Sequence, residues 1–194
     1  MYKIAITGKA NTGKNTLSKL LFKELGETIQ GYCNAKYLAF ADPIKEMIRI
    51  AYPEVPRKWL YGSSKFRTEI ISGAFKSGVP LTVRQLLIDL GNDFGRAHKP
   101  DIWLRNFDIR FNKIIKKNPE VVIVTDCRFR NEFDHLKSLG FYQIRLIRDN
   151  DIISNDISET NQDGIADTEF SYVINNNFSL KDLKNHGKKI VSQL

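Results

Sequence analysis

The alternation of apolar and polar positions predicts a repeating strand–helix order. Tyr2-Lys3-Ile4-Ala5-Ile6 reads as a strand, and Leu17, Leu20, Leu21 and Leu25 recur at helical spacing over Asn15–Leu25, with Gly26 as the C-cap. A second strand is expected over Lys36–Phe40, then a helix through Ala51 with Asp42 as N-cap and Pro43 in its first turn. Residues 53–80 lose the period at Pro53, Pro56, Gly62, Gly73, Gly78 and Pro80, so short helices and loops are expected there. Thr82 caps a helix carrying Leu86, Leu87 and Leu90, and a further helix spans Asp101–Lys116. Val121–Val124 is a β-branched run suited to a strand buried on both faces. A helix over Asn131–Leu139 ending at Gly140, a strand over Tyr142–Ile147, a polar loop over 149–169, a strand over Tyr172–Ile174 and a helix over Leu180–Val191 complete the pattern. Strands alternating with helices imply an α/β fold with a mostly parallel sheet and right-handed crossovers, in one domain without internal repeats.

The junction after the first strand carries the sharpest chemistry. Gly8-Lys9-Ala10-Asn11-Thr12-Gly13-Lys14-Asn15-Thr16 fits G-x-x-x-x-G-K between a strand and a helix, the context that pattern requires. Glycines let the backbone curl so that successive N–H groups face inward, and the helix N-terminus adds its positive dipole end. Gly8, Asn11, Thr12, Gly13, Lys14, Asn15 and Thr16 are therefore expected to bind the phosphates of a nucleotide, with Lys14 reaching the β- and γ-phosphates. Asn15 stands where the usual pattern has a hydroxyl ligand for magnesium. Mg²⁺ is accordingly expected to be held by phosphates and water, with support from Thr16 and Asp126.

The second candidate site is Val121-Val122-Ile123-Val124-Thr125-Asp126-Cys127-Arg128-Phe129-Arg130-Asn131-Glu132. A buried strand ending in a carboxylate is a Walker-B-like arrangement, and Asp126 would orient magnesium-bound water or the acceptor if this strand neighbours the phosphate loop. The plain alternative is an Asp that caps the next helix. Arg128 would neutralise a transferring phosphoryl group; Glu132 would position arginines or the metal's hydration shell.

Composition narrows the classes. The chain has 194 residues, 42% hydrophobic and 11% aromatic, which is enough for a core and excludes a disordered chain. Two distant cysteines, Cys33 and Cys127, speak against a zinc site or a disulfide framework. No apolar run approaches the ~20 residues of a membrane span, and the start lacks a signal-peptide pattern, so a cytoplasmic protein without a membrane partner is expected. His98, His135 and His186 are isolated and carry no expected catalysis. The formal charge of +8 permits nucleic acid, an acidic membrane or small anions. No helix-turn-helix, zinc finger or aromatic–basic interleaving argues for a stable nucleic-acid partner.

Taken in order, Gly8–Thr16, Phe40-Ala41-Asp42-Pro43-Ile44-Lys45, Arg84 with Leu90-Gly91-Asn92-Asp93-Phe94-Gly95-Arg96, Asp101-Ile102-Trp103, Thr125–Glu132, Ser158-Glu159 and Tyr172–Asn177 give the chain a family likeness. It resembles the phage-type deoxynucleoside monophosphate kinases of the P-loop nucleoside monophosphate kinase superfamily. The resemblance implies a P-loop three-layer α/β sandwich forming a single domain over 1–194. It further implies an acceptor-binding helical region over about 53–100 and a lid over about 127–155. It implies transfer of the γ-phosphoryl of ATP to a deoxynucleoside monophosphate, with Mg²⁺, in the cytoplasm (the host's, for a phage protein). Homodimers are frequent in related kinases. Lys14, Arg128, Asp126 and Glu132 are the implied catalytic group. Lys45, Arg84, Arg96 and Trp103 are the implied acceptor group, with core aromatic the plain alternative for Trp103. Arg148, with Arg145 beside it, is a candidate for ATP. The amides of Asn175–Asn177 either read the adenine edge or form a turn. Ser158-Glu159 matches the family without an evident chemical role. The rival readings are another small-molecule P-loop kinase, acting on dephospho-coenzyme A or a nucleoside, and a nucleic-acid-linked P-loop ATPase.

Overall fold

The computed structural model describes residues 1–28, 34–149 and 160–194, and the chain divides into two compact units. The first comprises Met1–Ala39 and Asp108–Leu194. Its sheet has the order β2-β5-β1-β6-β7, with β1 Tyr2–Thr7, β2 Ala35–Leu38, β5 Val121–Cys127, β6 Tyr142–Ile147 and β7 Tyr172–Asn175. Every pairing is parallel. Because β5 and β6 flank β1, the carboxyl end of β1 is the point where the strand order reverses, the usual ligand position in such sheets.

Burial follows from the pleat. Ile4 and Ile6 of β1 share a core cluster with Val121, Ile123, Ile144, Leu146 and Ile174 of the neighbouring strands. Helix α1 (Lys14–Thr28) presents Leu17, Leu21 and Leu25 to it, and the last helix, α7 (Leu180–Val191), presents Leu183 and Ile190. Each such side chain contributes about 1.5–3 kcal/mol by leaving water. Ala5, Val122 and Val124, at alternate positions, are also fully buried, so the opposite face is covered as well. Aromatic pairs lie at Phe111–Phe141, with centroids 5.7 Å apart, and Phe133–Phe170, at 4.9 Å. Phe133 belongs to α6, Arg130–Ser138. The result is the expected three-layer α/β architecture.

The second unit is Phe40–Phe107. It holds α2 Asp42–Ala51, α3 Arg57–Tyr61, a 3₁₀ turn over Ser64–Thr68, and the antiparallel pair β3 Ile70–Lys76 and β4 Val79–Thr82. Next come α4 Val83–Ile88, a π-helix over Asp89–Arg96, and the first residues of α5, Ile102–Ile115. Ile48, Leu60, Ile71, Val83 and Phe107 are its most buried side chains, each at 1% exposure or less.

Several local expectations are corrected. The hairpin replaces the loops expected within 53–80. Its turn residues Ser77 and Gly78 have φ of +52° and +79°, the backbone of a tight two-residue β-turn. Helix α1 runs through Gly26 to Thr28. Strand β2 stops at Leu38: the Ala39 carbonyl accepts from Arg110 at 2.9 Å, and Phe40 stacks on Phe107 with centroids 4.6 Å apart. In α2 the cap position falls on Ala41, and Asp42 is the first helical residue, 3.6 Å from Lys45. Within the span 127–155 expected as a lid, α6 occupies Arg130–Ser138 and β6 lies inside the sheet. Residues 150–159 of that stretch, with Ser158-Glu159, and Cys33 lie outside the described residues.

Candidate active site

The phosphate loop leaves β1 and enters α1 on glycines that cannot be replaced in place. A Cβ on Gly8 would come 2.4 Å from the Leu146 carbonyl oxygen and 2.9 Å from Thr12 Oγ1. Gly13 has φ of +102°, and a Cβ there would meet Asn176 Nδ2 at 2.7 Å. Asn11 takes the left-handed region at φ +61°, which asparagine tolerates. Thr12 is buried and donates from Oγ1 to the Lys9 carbonyl at 3.0 Å. Lys14 opens α1, and its Nζ donates to the carbonyls of Gly8 and Lys9 at 2.5 Å each. The ammonium therefore lies along the loop itself. Asn15 and Thr16 are exposed on the first turn of α1. This arrangement can hold a polyphosphate through backbone N–H groups, a helix N-terminus and one cation.

Beside the loop is a cavity of about 290 Å³ lined by Gly8, Lys9, Thr12, Arg145, Arg148 and Asp163, among others. Arg148 is exposed at the end of β6. Arg145 is engaged otherwise: its guanidinium donates to the Ile165 carbonyl at 2.5 Å, pairs with Asp167 at 2.9 Å and lies 5.3 Å from the Phe170 ring. It pins the 165–170 segment. Lys9 pairs with Asp163 at 2.9 Å, which ties the loop to the 3₁₀ turn over Asn161–Gly164.

Strand β5 neighbours β1, with Cys127 opposite Thr7, so half-buried Asp126 stands close to where β1 enters the phosphate loop. Cys127 is fully enclosed, and burial, then the Glu132 charge, hold its thiol well above the usual range. Glu132 stands with the first of its two expected roles, positioning an arginine. Its carboxylate is 2% exposed and accepts from the backbone N–H of Arg128 at 2.8 Å and of Phe129 at 3.1 Å. It satisfies orphan donors at the start of α6 and so fixes the backbone that carries Arg128. Arg130 is held by Asp134 at 2.9 Å and Glu169 at 2.8 Å, which raise its pKa further.

The acceptor candidates all lie in the second unit. Lys45 lies 5.0 Å from the centre of the Tyr61 ring, and Arg57 lies 4.9 Å from it. The Tyr61 hydroxyl donates to Glu46; burial and that carboxylate push the phenol up to about 12, so it stays protonated. Arg84 sits on α4 and Arg96 ends the π-helix, both partly exposed. Trp103 is corrected to a core aromatic at 5% exposure, its indole N–H donating to the Gly91 carbonyl at 2.8 Å. It shapes the π-helix from within and is not a surface for a base to stack on. Sequence reasoning did not single out Tyr61, which carries no motif signal, and left Asn176 between reading the adenine edge and forming a turn. Asn176 Nδ2 donates to the Thr12 carbonyl at 2.8 Å, a partner 164 residues away.

The family profile described as deoxynucleotide monophosphate kinase matches residues 60–187, about two thirds of the chain. That interval starts after the phosphate loop, so profile and loop are separate lines of support. The chain belongs to the deoxynucleotide monophosphate kinase family. A protein of Acanthamoeba polyphaga mimivirus named "Putative deoxynucleotide monophosphate kinase" is 26% identical over 192 residues, covering 94% of this chain and 92% of the viral protein. A solved sugar kinase from a Janibacter species superposes with a TM-score of 0.50 at 12% identity over 99% of this chain and 95% of its own, a likeness of fold alone. Membership in the deoxynucleotide monophosphate kinase family makes the protein a phosphotransferase that handles nucleotides. Among its described residues no helix is long and apolar enough to cross a membrane.

Proposed function

We propose that this kinase transfers the γ-phosphoryl group of ATP to the 5′-phosphate of a deoxynucleoside monophosphate. The bond from the γ-phosphorus to the β–γ bridging oxygen breaks, a bond from an acceptor phosphate oxygen forms, and ADP and a deoxynucleoside diphosphate leave. The observation that carries the reading is Lys14 lying along a glycine-shaped loop at the sheet's switch point, in a chain of this family. Two phosphate-bearing anions must approach each other, so charge placement is the main catalytic task. Lys14 and Arg148 serve the ATP phosphates and Arg128 the transferring group. Lys45, Arg84 and Arg96 serve the acceptor, with Trp103 positioning the π-helix that carries Arg96.

Among the described residues no three acidic, histidine or cysteine side chains cluster as a metal cage. Mg²⁺ would instead be held chiefly by phosphates and water, with Thr16 and Asp126 at its hydration shell, where it would neutralise charge on the β- and γ-phosphates. The Phe40–Phe107 unit, which contains the stretch 53–100, would act as the acceptor-binding region.

The test is ADP release from ATP and Mg²⁺ against dAMP, dCMP, dGMP, dTMP and the ribonucleotides. Release that depends on a deoxynucleoside monophosphate is expected. Turnover with dephospho-coenzyme A or a nucleoside instead, or ATP hydrolysis stimulated by DNA, would overturn the reading. In the same assay Arg128→Ala should lower kcat by about 10²-fold and leave KM for ATP within about threefold. The opposite split would make Arg128 a nucleotide-binding group.

A further inference from the structure

The asparagines after β7 answer a question the proposed reaction leaves open: what keeps the phosphate loop in its binding shape. Asn176 touches the loop at two adjacent points. Its Nδ2 donates to the Thr12 carbonyl at 2.8 Å, and the same nitrogen fills the space where a Gly13 side chain would begin, 2.7 Å from an ideal Cβ. Asn176 is itself anchored, since its backbone N–H donates to the Ile147 carbonyl at 2.7 Å at the end of β6. Asn177 braces the same strand end. Its Oδ1 accepts from the Asp149 backbone N–H at 2.8 Å, and its Nδ2 donates to the Asp149 carboxylate at 2.7 Å.

The C=O and N–H of one trans peptide point in opposite directions. The Thr12 carbonyl and the Gly13 N–H share a peptide. Holding that carbonyl toward Asn176 turns the Gly13 N–H away from β7. Without the amide the peptide is free to flip, because Gly13 is at home on either side of φ = 0. A flip would aim a carbonyl where a phosphate oxygen has to sit.

We infer that Asn176 is a positioning residue for the phosphate loop: its side-chain amide fixes the Thr12–Gly13 peptide so that the loop is organised for a polyphosphate before the nucleotide arrives. This rests on the loop's proposed role as the ATP site and assigns Asn176 to the loop backbone, where the sequence left it between the adenine edge and a turn. The two roles predict different ligand dependence. A base-reading amide matters for ATP alone. A loop-positioning amide matters equally for every ligand with a β-phosphate, with or without a base.

The experiment is calorimetric titration of wild type, Asn176→Ala and Asn176→Leu with ATP, GTP, AMP and inorganic tripolyphosphate, with thermal unfolding of each. Asn176→Leu fills nearly the same volume without a donor. The expected result is a loss of about three- to tenfold in affinity for ATP, GTP and tripolyphosphate alike, the scale of one hydrogen bond, with AMP unchanged and both variants folded. A loss confined to ATP would return Asn176 to the adenine edge and overturn the inference. Unchanged tripolyphosphate affinity in both folded variants would overturn it too, as would a wild type that binds none of the polyphosphates. Should Asn176→Ala not fold, Asn176→Leu decides alone; should neither fold, the role is structural and the inference falls. A wild type that binds tripolyphosphate but shows no acceptor-dependent turnover would remove the proposed reaction and leave the loop-positioning role standing.

Discussion

Lys14→Ala should reduce kcat for the phosphoryl transfer by roughly 10²–10³-fold, the range seen when one preorganised donor is removed from a charge-developing site. Local structure bears on the size of the effect. Lys14 Nζ has three N–H donors, and two of them engage the carbonyls of Gly8 and Lys9. In that pose the charge already stands within the loop, and little reorganisation is needed to bring it to a phosphate. Removing it leaves two carbonyl oxygens that water can reach in part, so the cost to stability is small and the melting temperature should stay within a few degrees. Lys14→Arg should not restore activity. A planar guanidinium is wider than an ammonium and has to fit a loop whose Gly8 position has no room for a single Cβ. Steady-state and single-turnover rates with ATP and the best acceptor from the panel would check this. A Lys14→Ala rate within about threefold of wild type would remove the loop from the chemistry.

How much of this was legible in the sequence depends on how far each cause lies along the chain. The loop between β1 and α1 was legible in shape because its causes are local: glycines at fixed offsets, a strand before and a helix after. Strand β5 was legible because Val121–Val124 is apolar without alternation, as a strand buried on both faces must be. The hairpin was only half visible. Ser77-Gly78 is a turn signal, but Pro80 within β4 argues against a central strand; a two-stranded ribbon has only edges, and there Pro80 pairs with Phe75. Glu132 carries the right residue type for a magnesium shell, and no pattern tells that its oxygen turns back to two N–H groups within four residues. Asn176 was the least legible, since its partner is brought near only by the completed sheet.

The charge of +8 shows the same division. As a bulk number it permitted several partners. In the fold, part of it is spent on structure: Arg130 on Asp134 and Glu169, Arg145 on the 165–170 segment, Lys76 on Asp89 at 2.6 Å. The cations proposed for phosphate chemistry divide between the units, with Lys14, Arg148 and Arg128 in the first. Lys45, Arg84 and Arg96 are their counterparts in the second.

The second large effect is expected at Gly95→Ala. The π-helix over Asp89–Arg96 is an unusual element, and two glycines within it, Gly91 and Gly95, are buried. A Cβ on Gly95 would lie 2.3 Å from Cζ2 and 2.8 Å from Cε2 of the Trp103 indole, and 3.0 Å from the Leu90 carbonyl oxygen. Neither neighbour can yield cheaply. The carbonyl is backbone, and the indole is held by its own N–H on the Gly91 carbonyl at 2.8 Å. One methyl group must therefore expel a buried tryptophan or unwind the element that carries Arg96. Overpacking of this kind costs about 1–3 kcal/mol, and a lost buried hydrogen bond adds to it. Gly95→Ala should lower the melting temperature by several degrees, shift the tryptophan emission to the red as Trp103 meets water, and raise KM for the acceptor more than KM for ATP. Trp103→Phe should itself be destabilising, because it removes the buried indole N–H bond to the Gly91 carbonyl. Combined with Gly95→Ala it should cost less than the sum of the two, since the smaller ring makes room for the methyl. Fully additive losses would show that Gly95 is required for the φ and ψ of the π-helix and not for the close approach of the indole.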